Sequence, residues 1–291
     1  MSSYQNPSQS HSRTSSRSSG NRSTRGSPTR QLPPAPATYT GEMLDDLEEQ
    51  NENNVTSRHL VYALDHVVDV LRANGIRYGV MGGMSMILLG NQGRTTSDVD
   101  VAVEVKTRDL LAAFSTDDRV YMPRANAVAG SGVARIFVLT GRAYGQDVPT
   151  LAVEVDLILN GNKGAPGTLR GATNSHTVST ACGPRSYSIL GLQYLFLAKL
   201  RSFYARESTR DYNDLVWMSF SHPQPIMDVA PQLDYELRRY FADQFEKREH
   251  DPNRVTWLYN LLGVSRPSSR SSSQGSQGSH RSGGSGSRRI R

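Results

Sequence analysis

Residues 78–101 read YGVMGGMSMILLGNQGRTTSDVDV and contain a glycine pair followed by two closely spaced aspartates. In residues 99–105 valines alternate with acidic or small residues, which predicts a strand with one buried face. Asp98 and Asp100 fall on the other face, roughly 7 Å apart at Cα. Two like charges this close favour a hard divalent cation between them.

The glycine pair Gly82-Gly83 lies between a short apolar run and a helical run. Glycines at the start of a helix expose backbone N–H groups, which favour phosphate. The alternative is a tight strand-to-helix turn with no ligand. Ser85 either donates to a phosphate or faces the core. A phosphate cradle followed by a carboxylate pair indicates metal-dependent chemistry on a nucleoside triphosphate.

The two ends of the chain differ sharply from its middle. Residues 1–38 and 265–291 are rich in Ser, Arg and Gly and carry eleven Arg and no acid. We expect both tails to be disordered, because they contain too little apolar surface to offset the ordering entropy. Basic tails of this kind are typical of contacts with RNA or with an acidic partner, the alternative being passive solvated extensions.

Charge and cysteine content bound the folded body, residues 39–264. Of the 33 basic and 27 acidic residues, removing the eleven tail arginines leaves 22 basic residues and a net charge of −5 for the body. The single cysteine, Cys182, excludes an intrachain disulfide and favours a reducing compartment. No apolar run is long enough to span a bilayer. We therefore expect no membrane partner and an intracellular protein, cytoplasmic or nuclear.

The order of elements predicts an α+β protein, with a mixed sheet and flanking helices in residues 39–190 and a helical subdomain in residues 191–264. The strand predicted at residues 151–159 is expected to lie antiparallel to the strand before it, and it places Glu154 and Asp156 on one face. A second acidic strand face thus belongs to the same domain.

Local signals predict further details. Thr56 or Ser57 is expected to cap a helix that ends at Gly75, and Thr107 to cap a later one. We expect a loop with Pro123 and several glycines after that helix. Residues 160–175 are expected to form a flexible surface loop.

Two motifs together resemble a known family. Gly82-Gly83 followed by Arg94-x-Thr96-x-Asp98-x-Asp100 is similar to the signature of the nucleotidyltransferase superfamily, the DNA polymerase β-like fold. The order and spacing of the residues in this motif look most like those of the AbiEii-type toxin and small-nucleotidyltransferase branch. Asp156 matches the third acid of that family, and Lys199 with Arg210-Asp211-x-x-Asp214 looks like its helical block. The resemblance covers about residues 76–220, roughly half the chain.

The resemblance implies a role for each matched residue. Asp98 and Asp100 would hold two Mg²⁺ (or Mn²⁺) ions that bridge the triphosphate. Asp156 would complete this catalytic metal site and draw the proton of the acceptor. The groups implied to bind the NTP are Gly82, Gly83, Ser85, Arg94 and Lys199.

Alternatives stay open for the charged residues. Arg94 either neutralises the triphosphate or is a surface arginine, and Lys199 either binds phosphate or extends to water. Asp211 and Asp214 either anchor Lys199 or Arg206, or form ordinary helix salt bridges.

Two functions follow from these expectations. The first is a Mg²⁺-dependent nucleotidyltransferase that moves an NMP from an NTP to a hydroxyl or phosphate acceptor on RNA, protein or a small molecule. The second is a non-catalytic nucleotide-binding or RNA-associated module on the same fold.

Overall fold

The structure, a computed structural model, describes residues 37–266, so nearly all of both predicted tails lies outside the described residues. The exceptions are at the boundaries. Ala37–Thr38, assigned to the disordered tail from the sequence, forms a short strand, and Arg266 forms an ion pair with Glu246. The ordered body therefore extends slightly beyond residues 39–264 at both ends.

The described residues form one mixed sheet and two sets of helices. The strands are β1 (Ala37–Thr38), β2 (Arg77–Met81), β3 (Val99–Glu104), β4 (Val120–Met122), β5 (Val133–Thr140), β6 (Leu151–Leu159), β7 (Thr173–Thr180) and β8 (Gly183–Leu190). The helices before the last strand are α1 (Gly41–Asn54), α2 (Ser57–Ala73), α3 (Gly82–Leu88), α4 (Thr107–Phe114) and α5 (Ala125–Ser131). Those after it are α6 (Leu192–Arg206), α7 (Thr209–Ser221), α8 (Pro223–Val229), α9 (Tyr235–Glu246) and α10 (Pro252–Leu262).

The sheet has the strand order β1-β4-β5-β6-β3-β2-β8-β7. Its central pair, β3 and β6, is parallel, whereas β2 with β3 and β5 with β6 are antiparallel. The predicted α+β class with a mixed sheet is confirmed, as is the antiparallel pairing of residues 151–159 with the preceding strand. The alternating valines of β3 have no solvent-exposed surface, which explains why this strand lies at the centre of the sheet.

The helix α2 shows how the sequence sets local structure. Thr56 accepts a hydrogen bond from the backbone N–H of His59, and the His59 ring accepts one from the Thr56 backbone in return, so the N-terminus is capped twice. Leu64, Val67 and Leu71 of its apolar stripe are fully buried. Within residues 37–266, no helix is long and apolar enough to cross a membrane.

Three local predictions need correction. Thr107 is the first residue of α4 and does not cap it; Lys106 occupies the cap position without a side-chain hydrogen bond. The loop predicted around Pro123 contains β4 and α5 on either side of that proline. The predicted surface loop ends earlier, because β7 begins at Thr173, and Leu169 within the loop is buried.

One prediction concerns the contact between α2 and the turn before β4. His66 Nε2 lies 2.6 Å from Asp117 Oδ2, and both side chains are largely buried. Burial by itself raises the pKa of Asp117, but hydrogen bonds from His66 and from the Arg119 backbone outweigh it and hold the pKa below its usual range. The ionised carboxylate therefore stabilises the fold above the unfolded-state pKa, and this contribution is lost as pH falls through the folded-state pKa.

We expect Asp117→Asn to lower the free energy of unfolding by about 1–2 kcal/mol at pH 7. Urea unfolding at pH 7 and near pH 3 measures this directly, and the difference between variant and wild type should shrink at the lower pH. An equal difference at both pH values would contradict the assignment to the ionised carboxylate.

Candidate active site

Three charged residues lie side by side across the middle of the sheet. Asp100 of β3 is the register partner of Asp156 of β6, and Asp156 is in turn the partner of Arg135 of β5. On the other side, Asp100 is the partner of Met81, the last residue of β2. Side chains of directly paired residues share a face of the sheet. The two predicted acidic strand faces therefore meet, directly beside the glycine turn.

The glycine pair is required by the close approach of site residues. Gly82 has a φ of +62°, and a Cβ there would lie 1.7 Å from Asp100 Oδ2. A Cβ on Gly83 would lie 2.6 Å from Thr96 Oγ1 and 2.8 Å from Arg94 Nη2. Any side chain at either position would displace the groups that border the cavity. This observation adds a second reason for the glycines, beside the predicted phosphate contact.

Asp98 and Asp100 differ in their surroundings. Asp98 accepts a hydrogen bond of 2.6 Å from the Thr96 hydroxyl, which orients its carboxylate. The pKa of Asp100 is raised to about 7, first by burial and then by the charges of Asp98 and Asp156, against a smaller opposing effect of Lys199. The raised pKa means that this partly buried carboxylate lacks sufficient cationic compensation.

The raised pKa leads to an unusual prediction for Asp100→Asn. Because the folded state holds the Asp100 proton more tightly than the unfolded state does, stability falls as pH rises from about 4 to about 7. Without divalent ions, the variant should therefore be more stable than wild type at pH 8, by on the order of 1 kcal/mol or more. Urea unfolding at pH 5 and pH 8 tests this, and a variant less stable than wild type at pH 8 would contradict it.

Asp156 is paired with a cation from its own sheet. Arg135 Nε lies 3.0 Å from Asp156 Oδ1, and Nη2 donates to Oδ2 at 3.2 Å. The same guanidinium contacts Glu154 at 2.9 Å and Glu48 of α1. Burial raises the pKa of Glu154 to about 7 although Arg135 opposes the shift. Arg135 is thus the counter-ion of three carboxylates.

An ion-pair network, buried except at Arg206, links the loop before β3 to the helices. Asp214 of α7 contacts Lys199 Nζ at 2.7 Å and Arg94 Nε at 3.1 Å, and it has no solvent-exposed side-chain surface. Asp211 contacts Lys199 at 3.0 Å and Arg206 at 2.8 Å. Of the two alternatives for Asp211 and Asp214, the structure therefore has the first, in which these acids anchor Lys199 and Arg206. The three cations and two carboxylates carry a net charge of +1 beside Asp100.

The helix α1 holds the two acidic strands in place. Its Asn51, which is 1 % exposed, donates to the Ser97 carbonyl at 2.7 Å and accepts from the Glu154 backbone N–H at 3.2 Å. Ser97 immediately precedes Asp98. One side chain therefore bridges the start of β3 and the middle of β6 at the level of the carboxylates.

These groups surround one cavity of about 850 Å³ between the sheet and α6. Asp98, Asp100 and Asp156 line its sheet side, whereas Lys199, Arg206 and Arg210 line its helix side. Lys163 of the loop after β6 also lines it. The predicted residues Gly82, Gly83 and Arg94 belong to the same lining. The structure thus brings together all but one of the predicted site residues.

Ser85 is the exception. Its side chain is fully buried, and its hydroxyl donates to the Gly82 carbonyl at 2.8 Å. It does not line the cavity, so it takes the second predicted alternative and faces the core. The reason is helical geometry, since a hydroxyl three residues along α3 bonds back to the first turn.

The donor set fits a divalent cation at two of the three predicted carboxylates. Asp98 and Asp100 supply hard oxygen ligands that suit Mg²⁺ or Mn²⁺. Asp156 already accepts two hydrogen bonds from Arg135. In the described part of the chain, no three His, Cys, Asp or Glu side chains form a group that could hold a metal ion together.

The sequence interpretation missed Arg135, Glu48 and Asn51. Arg135 is the single charged residue of β5. An arginine in an otherwise uncharged strand, next in sequence to a strand with two acidic residues, was the one sign in the sequence that pointed to its role. Its pairing with Asp156 depends on the register of two strands separated by a loop, which the sequence did not specify.

Comparison with known proteins gives distant similarities of structure. No family model and no curated protein matches the chain. An antigenic nucleotidyltransferase-like protein from Paracoccidioides brasiliensis is 17 % identical over 71 % of this chain and 95 % of its own, with a TM-score of 0.46. A putative nucleotidyltransferase from H. pylori is 13 % identical over 69 % of this chain and 92 % of its own, with a TM-score of 0.37.

A third solved structure is the antibiotic-resistance factor ANT(2'')-Ia, which is 12 % identical over 66 % of this chain and 94 % of its own, with a TM-score of 0.37. The names of the first two proteins include the word nucleotidyltransferase, and the AbiEii-type branch stays a prediction. Because every TM-score is below 0.5, the function has to be argued from the contacts within this chain.

Proposed function

We propose that this protein is a metal-dependent nucleotidyltransferase that transfers an NMP from an NTP to a hydroxyl or phosphate acceptor. The observation that carries the proposal is the register of β3 and β6, which brings Asp98, Asp100 and Asp156 together at one cavity beside Gly82-Gly83. A divalent cation bound at Asp98 and Asp100 would supply charge neutralisation for the phosphates.

The residues of the helix side would bind the triphosphate. Lys199 and Arg94 are fixed by Asp214, so their orientation is set before a nucleotide arrives. Arg210 and Lys163 line the cavity and have no carboxylate partner among the described residues, which leaves their charges for phosphate oxygens. The peptide N–H groups of the glycine turn would add neutral donors.

The transfer itself conserves atoms and charge. An acceptor oxygen attacks the α-phosphorus, the new P–O bond forms, and the bond from the α-phosphorus to the bridging oxygen breaks. Pyrophosphate leaves, and the acceptor proton passes to a carboxylate of the site. The acceptor would be RNA, protein or a small molecule. The RNA contacts expected of the basic tails would be made almost entirely by residues outside the described range 37–266.

The second candidate is a nucleotide-binding module without catalysis. It is favoured by the ion pair between Arg135 and Asp156, because a carboxylate that accepts two hydrogen bonds from a guanidinium is a weak base. This candidate predicts NTP binding with no release of pyrophosphate.

Binding of each NTP, measured by calorimetry with and without Mg²⁺, tests what both candidates share. We expect Mg²⁺-dependent affinity in wild type and at least a tenfold loss in Asp98→Asn, about 1.4 kcal/mol. Asp109→Asn, on the exposed face of α4, is the control and should bind as wild type does. If Asp98→Asn binds Mg²⁺–NTP as tightly as wild type, the assignment of the nucleotide site to Asp98 and its cavity is wrong.

A further inference from the structure

The guanidinium of Arg135 fills the place where a cation would be expected. Its Nε lies 3.0 Å from Asp156 Oδ1 and 2.9 Å from Glu154 Oε1, and its Nη2 donates to the second oxygen of Asp156. Its Nη1 donates to Glu48. One rigid fork of N–H donors thus satisfies carboxylates of two elements, β6 and α1.

The surroundings hold this arginine in position. Arg135 is the direct register partner of Asp156, so the two side chains leave adjacent strands on the same face. Its carbonyl accepts a hydrogen bond of 2.8 Å from the Tyr39 hydroxyl. Glu48 belongs to α1, which Asn51 fastens to the start of β3 and to the middle of β6. The pairing is therefore set by strands and a helix, not by a loose surface side chain.

Asp98 and Asp100 have no comparable partner. Among the described residues, neither forms an ion pair, and the hydrogen bond that Asp98 accepts comes from a neutral hydroxyl, that of Thr96. The three carboxylates predicted to act as one metal set thus divide into two groups. Two lack a cation, and the third already has one.

We infer that Arg135 is the permanent cation of the third carboxylate, so that the protein binds one divalent ion, at Asp98 and Asp100, and excludes a second ion from Asp156. This inference rests on the proposed function and deepens it. A divalent ion on Asp156 would lie within a few ångströms of the guanidinium, and their repulsion is strong at that distance inside a protein. Arg135 lines the cavity and acts here as a positioning residue, because its guanidinium contacts the carboxylate of Asp156.

The test counts bound Mn²⁺ by electron paramagnetic resonance in the full-length protein. Each protein is titrated with Mn²⁺ and the α,β-methylene analogues of the four NTPs, which bind but do not transfer. We expect one Mn²⁺ per bound analogue in wild type and two in Arg135→Gln, with the spectrum of two coupled ions about 4 Å apart. Arg135→Lys keeps the positive charge and should restore the count to one.

The matched control is Arg185→Gln, which removes another strand arginine that pairs with a helix carboxylate, Asp65, away from the cavity. Its count should remain one. Two ions in wild type, or one ion in both wild type and Arg135→Gln, would overturn the inference while leaving the proposed function in place. A count of two in wild type overturns the inference even if Arg135→Gln does not fold. If no analogue binds with Mn²⁺ to wild type, the proposed function itself fails, and the inference fails with it.

Discussion

Replacing Asp214 with Ala is expected to lower the free energy of unfolding by about 3–5 kcal/mol. Asp214 is fully buried and is the shared counter-ion of Lys199 and Arg94, whose side chains are each only 12 % exposed. Removing it leaves two cations with little access to water, and Lys199 then retains Asp211 alone. The loss should be the largest of any single charge removal discussed for this site.

Urea unfolding of Asp214→Ala beside Asp69→Ala measures this effect. Asp69 is an exposed aspartate within the last two turns of α2. Its replacement by Ala makes the same Asp-to-Ala change in a helix and should alter stability by less than about 0.5 kcal/mol. Thermal unfolding followed by circular dichroism gives an independent value. A loss of less than 1 kcal/mol in Asp214→Ala would mean that water reaches the two cations and that the network contributes little.

The nucleotide affinity of Asp214→Ala should fall as well. In wild type, Asp214 fixes Lys199 and Arg94 at the cavity, and freeing them adds the entropic cost of ordering two long side chains when a triphosphate binds. A Lys199→Gln variant serves for comparison. If phosphate binding depends on this network, both variants should weaken NTP binding, and the stability loss should be larger in Asp214→Ala.

Gly82→Ala is expected to abolish Mg²⁺-dependent NTP binding, with an affinity loss well above tenfold. The added Cβ would lie 1.7 Å from Asp100 Oδ2, so the carboxylate has to leave its place. The backbone at Gly82 also has a φ of +62°, which costs a non-glycine residue about 1–2 kcal/mol. Two effects are therefore combined in this variant.

Gly75→Ala separates the two effects. Gly75 has nearly the same φ, +66°, but a Cβ there meets nothing within 4 Å. We expect both variants to lose a similar amount of stability from backbone strain and only Gly82→Ala to lose nucleotide affinity. Equal affinities in the two variants would show that Asp100 can move without consequence, which would weaken its assignment to the site.

Much of the site was predictable because its signals are local. The alternation around Asp98 and Asp100, the glycine pair and the second acidic strand each depend on a few neighbouring residues. The pairing of Asp211 and Asp214 with Lys199 was also predictable from the sequence, because oppositely charged side chains on adjacent helices commonly form ion pairs. These features specify the chemistry of the site but not its arrangement.

Features that depend on strand register or on packing could not be predicted from the sequence. β7 reads TNSHTVST, a polar run without alternation, and it forms a strand because it pairs along its whole length with β8. Ser85 carries no local sign that its hydroxyl bonds back to Gly82. Arg135 becomes important only when β5 and β6 are aligned so that it meets Asp156.

Nucleotidyl transfer is tested by the transfer of label from each NTP, radiolabelled at the α-phosphate, in the presence of Mg²⁺ or Mn²⁺. Wild type and Asp98→Asn/Asp100→Asn are incubated with total RNA, with cell extract and alone, and pyrophosphate release is measured in parallel. The proposed function predicts label on an acceptor together with pyrophosphate release in wild type, and neither in the double variant. Metal-dependent NTP binding without pyrophosphate release under any of these conditions would contradict the transferase and favour the binding module.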